Sequence, residues 1–185
     1  VFWAIATGES ETGVTMHFME ERIDAGPIIT QIRFPIQADD TYSTVYEKAL
    51  SCVPKLVKQL ADFFENNDLE AIPQDEVKAT YFREDRTIHR VIFWSVYGAE
   101  QIRNLVRAAN GGAFFWFRDK RIYVSKCTVS ETNRNLTNNI SVPNGTVVDV
   151  SDGISIKVKD GVVTLIELHD ESGKGIKFSV GQVLQ

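Results

Sequence analysis

Cysteine is scarce in this sequence. Cys52 and Cys127 are the two in 185 residues, far apart and without a Cys-x-x-Cys or His-rich spacing. That argues against a disulfide framework and a zinc site, and the expectation is no metal and two buried free thiols in a reducing, cytoplasmic setting. No run of about 18 apolar residues exists, so a membrane span is not expected. No basic region precedes the opening VFWAIA, so no secretory leader is legible. The chain starts without Met, as if inside an element, and reads as a fragment. A strong excess of positive charge is also missing: 20 Lys/Arg stand against 25 Asp/Glu, a net charge of −5. Three Asn-x-Ser/Thr triplets, at Asn135, Asn139 and Asn144, then read as turn chemistry rather than glycosylation sites.

What is present is an ordinary globular composition, 43% hydrophobic and 24% charged, on a chain long enough for one large domain or two small ones. The charge is uneven. Residues 1–82 carry 6 Lys/Arg and 14 Asp/Glu, whereas residues 83–185 carry 14 and 11. The second part is therefore the one that could face an anion.

Residues 13–19 alternate around Val14, Met16 and Phe18 and predict a strand. IITQIRFPI (28–36) predicts a second, with Pro35 at its edge or end. The polar MEERIDAGP lies between them and closes on Gly26-Pro27, a turn marker. Asp39-Asp40-Thr41 can cap a helix whose apolar stripe runs Tyr42, Val45, Tyr46, Ala49, Leu50, Val53, Leu56, Val57, Leu60, Phe63 and Phe64. It is one helix or two joined at Pro54, ends at Asn66-Asn67, and should be packed into a core. Residues 68–88 read as a linker. Gly98–Ala109 predicts a short helix, followed by AFFWF, RIYVSKCTV, GTVVDV, ISIKVK, VVTLIEL and IKFSV, which predict a small antiparallel barrel.

One place concentrates polar groups in a context suited to chemistry. Asp24 lies between Ile23 and Ala25 and precedes Gly26-Pro27. A carboxylate beside apolar neighbours on a constrained turn can have its pKa raised and its direction fixed. His17 sits on the strand that enters the loop. From residue types alone, the bland alternative is a hydrogen-bonded strand histidine and an ordinary turn aspartate.

The stretch ETGVTMHFMEERIDAGPIITQ (Glu11–Gln31) resembles the signature of the 10-formyltetrahydrofolate-dependent formyltransferases. The matching positions are Thr12, Gly13, Val14, Thr15, His17, Met19, Ile23, Asp24, Ala25, Gly26, Pro27, Ile28 and Gln31. WAIATGE (3–9) resembles the segment that follows that family's catalytic loop. PQDEVKATYF (73–82) resembles the interdomain linker of its methionyl-tRNA and amino-sugar members, and GAEQIRNLVRAANGGAFF (98–115) the start of their C-terminal domain. There are departures: Phe93 precedes Trp94 where an acidic or amide residue is usual, and Gly111-Gly112-Ala113 replaces Pro-Gly-Ala.

The resemblance implies an α/β remnant of a Rossmann-like formyltransferase domain (strand, loop, strand and long helix) followed by an OB-like antiparallel β-barrel. It implies residues 1–70 as the C-terminal part of the catalytic domain, 71–88 as linker and 89–185 as the barrel. It implies formyl transfer from 10-formyltetrahydrofolate to an amine, without a metal. Asp24 matches the catalytic aspartate. The family's catalytic Asn and His match no position in this chain. Glu20, Glu21, Arg22 and Ile23 match the segment bordering the pterin of the folate, and Thr15 and His17 match supporting positions. The acceptor stays open between methionyl-tRNA, ranked first, and a nucleotide-linked amino sugar. For tRNA, Arg83, Arg86, Arg90, Arg103, Arg107, Arg118, Lys120 and Arg121 are the basic candidates. With an amino-sugar acceptor the barrel is free to serve packing or a homodimer, and a non-catalytic folate- or RNA-binding remnant is the reading from another class.

Overall fold

The structure is a computed structural model that describes residues 1–66, 70–84, 87–129 and 142–184. Asn67, Arg86, Asn135 and Asn139 lie outside the described residues. The chain divides into two compact units: Val1 with Glu9–Glu84, and Phe2–Gly8 with Asp85–Gln185.

The first unit is built on a hairpin. Strand β1 (Glu11–His17) pairs antiparallel with β2 (Ile28–Pro35), Thr15 opposite Gln31 and Gly13 opposite Arg33. The register slips between Met16 and His17, where the strand gives way to the loop. Alternation sorts the faces. Gln31 Nε2 donates to Thr15 Oγ1 at 2.7 Å, and Arg33 reaches Glu11 at 3.0 Å on the polar side. A long helix, labelled α2 (Tyr42–Asn66), packs on the hairpin and continues through Pro54. Thr41 and Thr44 cap it reciprocally, Thr41 N donating to Thr44 Oγ1 at 2.9 Å and Thr44 N to Thr41 Oγ1 at 3.4 Å. Thr30 Oγ1 donates to Gln59 Oε1 at 2.9 Å, which pins the helix to β2.

Asp40 is the first unit's buried charge. It accepts from Gln37 N at 2.7 Å, from Thr44 Oγ1 at 2.8 Å and from Lys48 Nζ at 2.5 Å. Burial pushes its carboxyl up, but the bonds from Lys48, Gln37 and Thr44 outweigh it and hold the group below its ordinary value. The stripe of α2 departs from the core expectation. Val45 and Leu56 are buried, whereas Tyr46, Leu50, Val53, Val57 and Phe64 are exposed. A hairpin is too narrow to cover more than one side of a 25-residue helix.

The second unit joins a short helix, α1 (Phe2–Ala6), to α3 (Ala99–Ala108) and a five-stranded antiparallel sheet. The strands are β3 (Ala113–Phe117), β4 (Lys120–Val129), β5 (Val147–Asp149), β6 (Ile154–Val158) and β7 (Gly161–Asp170), in the order β3-β4-β7-β6-β5. The amphipathic α3 packs on β4 and β7 and starts on two caps: Gly98 N donates to Gln101 Oε1 at 2.9 Å and Ala99 N to Asp160 Oδ1 at 2.7 Å. Phe115, Ile102, Ile122, Val124, Ile156 and Leu165 fill the core, with Trp94 edge-on to Phe115.

Two expectations change here. The segment IKFSV (176–180) forms no strand; its backbone is irregular, with Phe178 buried, and Leu184 N donates to Gly145 O at 2.8 Å just beyond it. Among the described residues the antiparallel strands form a sheet, without a shown closure into a barrel. Both cysteines are free and half-buried, and desolvation pushes the Cys127 thiol up to about 12. No helix among the described residues is long and apolar enough to cross a membrane, nor do they group three or more His, Cys, Asp or Glu that could hold a metal ion.

Candidate active-site loop

The loop between β1 and β2 is closed at its base. Phe18 N donates to Pro27 O at 3.0 Å. Gly26 is buried there, and a Cβ on it would come to 1.8 Å from Phe18 O, so no other residue fits. Beyond that waist, Glu20, Glu21, Arg22, Ile23 and Asp24 are all exposed.

Asp24 adopts a left-handed backbone, φ 56°. Aspartate tolerates that region better than most residues, at a cost on the order of 1–3 kcal/mol that neighbouring contacts must hold. The conformation turns the side chain towards β1, where Asp24 Oδ1 lies 3.7 Å from His17 Nε2. His17 Nδ1 is 2.8 Å from Phe18 O. A carbonyl can only accept, so Nδ1 carries the proton of that bond and neutral His17 presents a bare Nε2 to the carboxylate. At 3.7 Å the two groups are within ion-pair reach but too far apart for a direct hydrogen bond.

The apolar flanks do not desolvate this carboxylate. The Asp24 side chain is 88% exposed and Ile23 is 86% exposed, turned to solvent rather than over its neighbour. The apolar neighbours thus leave this carboxylate in solvent, and its main chain is held by polar bonds.

Those bonds come from a segment that composition and periodicity mark only as linker. Ile28 and Ile72 exchange both main-chain hydrogen bonds at 2.8 Å, an isolated bridge that lays residues 72–74 beside the loop. Gln74 Nε2 then donates to Asp24 O and to Gly26 O, each at 2.7 Å. Arg22 extends to Glu76 Oε2 at 2.8 Å and to Tyr81 Oη at 3.5 Å, and the charge-assisted bond to Glu76 raises its pKa. A 3₁₀ turn at Glu76–Lys78, capped by Asp75 on Val77 N, presents Glu76. Thr15 sits behind the site, bonded to Gln31. Glu20 and Glu21 offer exposed main chain and carboxylates without a partner assigned to either.

The basic residues do not stand as one uncommitted set. Arg103 pairs with Glu100 at 2.8 Å and Arg107 Nε donates to Asn104 Oδ1 at 3.0 Å. Arg118 lies over Phe117, Arg90 over Phe2, and Arg121 over both Phe114 and Trp116.

Residues 1–59 match the family described as "Formyl transferase", and residues 87–180 match "Formyl transferase, C-terminal domain". The methionyl-tRNA formyltransferase of Dictyoglomus turgidum is 31% identical over 179 residues, covering 95% of this chain and 55% of the relative. That of Desulforamulus reducens is 32% identical over 182 residues, covering 97% and 56%. The chain thus spans about half the length of these curated relatives. An N-formyltransferase from Helicobacter canadensis, solved with folinic acid and dTDP-3-aminofucose, shares the fold with a TM-score of 0.67 at 24% identity. The overlap covers 91% of this chain and 61% of that one.

Proposed function

This chain belongs to the formyltransferase family, and on that premise we propose that it supplies one wall of a site moving a formyl group from 10-formyltetrahydrofolate to an amine. The observation that carries the reading is the closed loop with Asp24 turned towards His17 at 3.7 Å, inside the matched region. In this reading the amine nitrogen attacks the formyl carbon, a C–N bond forms, and the carbonyl oxygen becomes an oxyanion. The bond to the folate nitrogen then breaks, and that nitrogen leaves with a proton. The amine must shed a proton on the way, and the Asp24 carboxylate accepts it directly, through water, or by holding an imidazole charged. In the family an Asn and a His act on the oxyanion, and Asp24 is read as the third member of that set.

Glu20, Glu21, Arg22 and Ile23 supply the exposed edge along which the pterin would lie, with Arg22 braced by Glu76; His17 and Thr15 support from the strand. Residues 1–70 are read as catalytic domain, 71–88 as linker and 89–185 as an OB-like domain. The sheet order and the breaks in β4 pairing between Val124 and Cys127 support a curved, barrel-like second unit.

Methionyl-tRNA is the favoured acceptor, since the D. turgidum and D. reducens relatives carry that name across nearly the whole chain. A nucleotide-linked amino sugar is the second reading, supported by the dTDP-3-aminofucose in the H. canadensis structure. The test is Asp24→Asn in the full-length protein, because Asn keeps the left-handed backbone. Folding and folate binding should persist while kcat falls about 10²–10⁴-fold. Near-normal turnover removes Asp24 from the set. Binding of initiator tRNA over a salt series separates the acceptors: a steep loss with salt favours tRNA, and no binding at low salt favours the sugar.

A further inference from the structure

We propose that Gln74 is a positioning residue for the transfer reaction, aiming the Asp24 carboxylate by holding the main chain that follows it, at the Asp24 and Gly26 carbonyls. The inference rests on the reading of Asp24 as the proton acceptor.

The loop of residues 18–27 cannot orient Asp24 by packing. Phe18, Met19 and Ile23 are exposed, and the hydrogen bond within its tip, from Ala25 N to Arg22 O, is long at 3.5 Å. Asp24 nevertheless holds a left-handed φ of 56°, which needs support from outside. Gln74 provides it. A side-chain amide nitrogen has two hydrogens, and both are used: one on Asp24 O and one on Gly26 O, each at 2.7 Å. Two carbonyls bridged by one nitrogen fix the peptide planes that bracket Ala25-Gly26, and the first of these, which starts at Asp24, sets the direction in which the Asp24 side chain leaves the backbone.

The clamp is itself anchored. The two-way bond of Ile28 with Ile72 seats the backbone two residues before Gln74, and the Arg22–Glu76 ion pair closes on the loop two residues after it. A glutamine in a polar connector is most often solvated. Here each of its donors is spent on the one stretch of main chain that carries the catalytic group.

The test compares Gln74→Glu, Gln74→Met and Asp24→Asn in the full-length protein. Glutamate keeps the size of the side chain and, ionised, donates nothing; methionine keeps the reach and donates nothing. Both should lower kcat by about 10- to 100-fold, the scale of a misplaced catalytic group, while KM for each substrate moves less than about 3-fold. Hydrogen exchange at the amides of residues 18–27 should quicken in both, with the amides of β1 and β2 unchanged. Gln74→Lys, whose ammonium restores donors at that reach, should recover part of kcat. The inference is overturned if kcat stays within about 2-fold of the parent, or if KM rises with kcat unchanged, which would make Gln74 a substrate-binding support. It is also overturned if exchange quickens across both strands, the mark of general unfolding. Retained activity in Asp24→Asn is a separate failure, that of the Asp24 reading.

Discussion

The two units of this chain are held together by different physics. In the second, Phe115, Ile102, Ile122, Val124, Ile156 and Leu165 are buried almost completely, and the sheet and α3 close around them. Among the described residues of the first, Val45 and Leu56 are the buried hydrophobic ones, and Phe18, Met19, Ile23, Leu50, Val57 and Phe64 face outward. What organises the first unit is a set of directed polar bonds: Asp40 on Gln37, Thr44 and Lys48, Thr30 on Gln59, Gln74 on the loop. Apolar burial is strong and non-directional, about 25 cal/mol per Å². A hydrogen bond nets about 1 kcal/mol but specifies an angle. The second unit therefore carries stability, while the first carries geometry. The candidate site sits where geometry matters.

Substitutions can break or sharpen that contrast. The largest effect should come from Phe115→Ala, which empties the core of the second unit and should cost about 3–5 kcal/mol in denaturant unfolding. A loss under about 1 kcal/mol would mean that the unit is not core-driven. Next comes Asp40→Ala, which leaves Lys48 and the Gln37 amide without their acceptor and should cost about 1–3 kcal/mol, read on a first-unit probe. The pH dependence has a definite sign. The Asp40 carboxyl is held below its ordinary value, so its contribution is complete above the unfolded pKa of about 3.9 and is lost as pH falls through the lower folded value. Acid unfolding of the parent should steepen in that window and that of Asp40→Ala should not. The smallest effect should be Val57→Ala on the exposed stripe, within about 0.5 kcal/mol. A cost like that of Phe115 would show that the stripe is covered in solution and would erase the contrast.

Local signals were readable in the residue order. The hairpin follows from alternation around Val14 and Met16 and from Gly26-Pro27, and the helix from the stripe behind Asp40-Thr41. β3, β4, β6 and β7 fall where runs of β-branched and aromatic residues predict them. Burial was less readable. The stripe from Tyr46 to Phe64 has the period of a core face, but period records amphipathicity and not what covers it. IKFSV has strand composition, yet the neighbouring chain that takes up a hydrogen-bonding edge is Gly145–Val147, through Gly181 to Leu184. In the candidate site, Asp24 was singled out by the contiguous stretch Glu11–Gln31 that carries the family resemblance. Gln74 was not, because it acts through two main-chain carbonyls some 50 positions away, and no side-chain pattern records a bond to backbone. Its one visible trace was a place within the linker-like PQDEVKATYF.

The join at Gly26 makes the segment of residues 18–27 a ring rather than a finger. Its waist leaves no atom-sized gap, so chain length cannot change there without parting the strands. The rim from Met19 to Ile23 is exposed and, apart from the Arg22–Glu76 pair, can be re-lettered at small cost to the fold. One part of the ring is thus a gauge block and the other an exchangeable insert. A family could re-tailor the surface it offers a ligand while Asp24 keeps its coordinates.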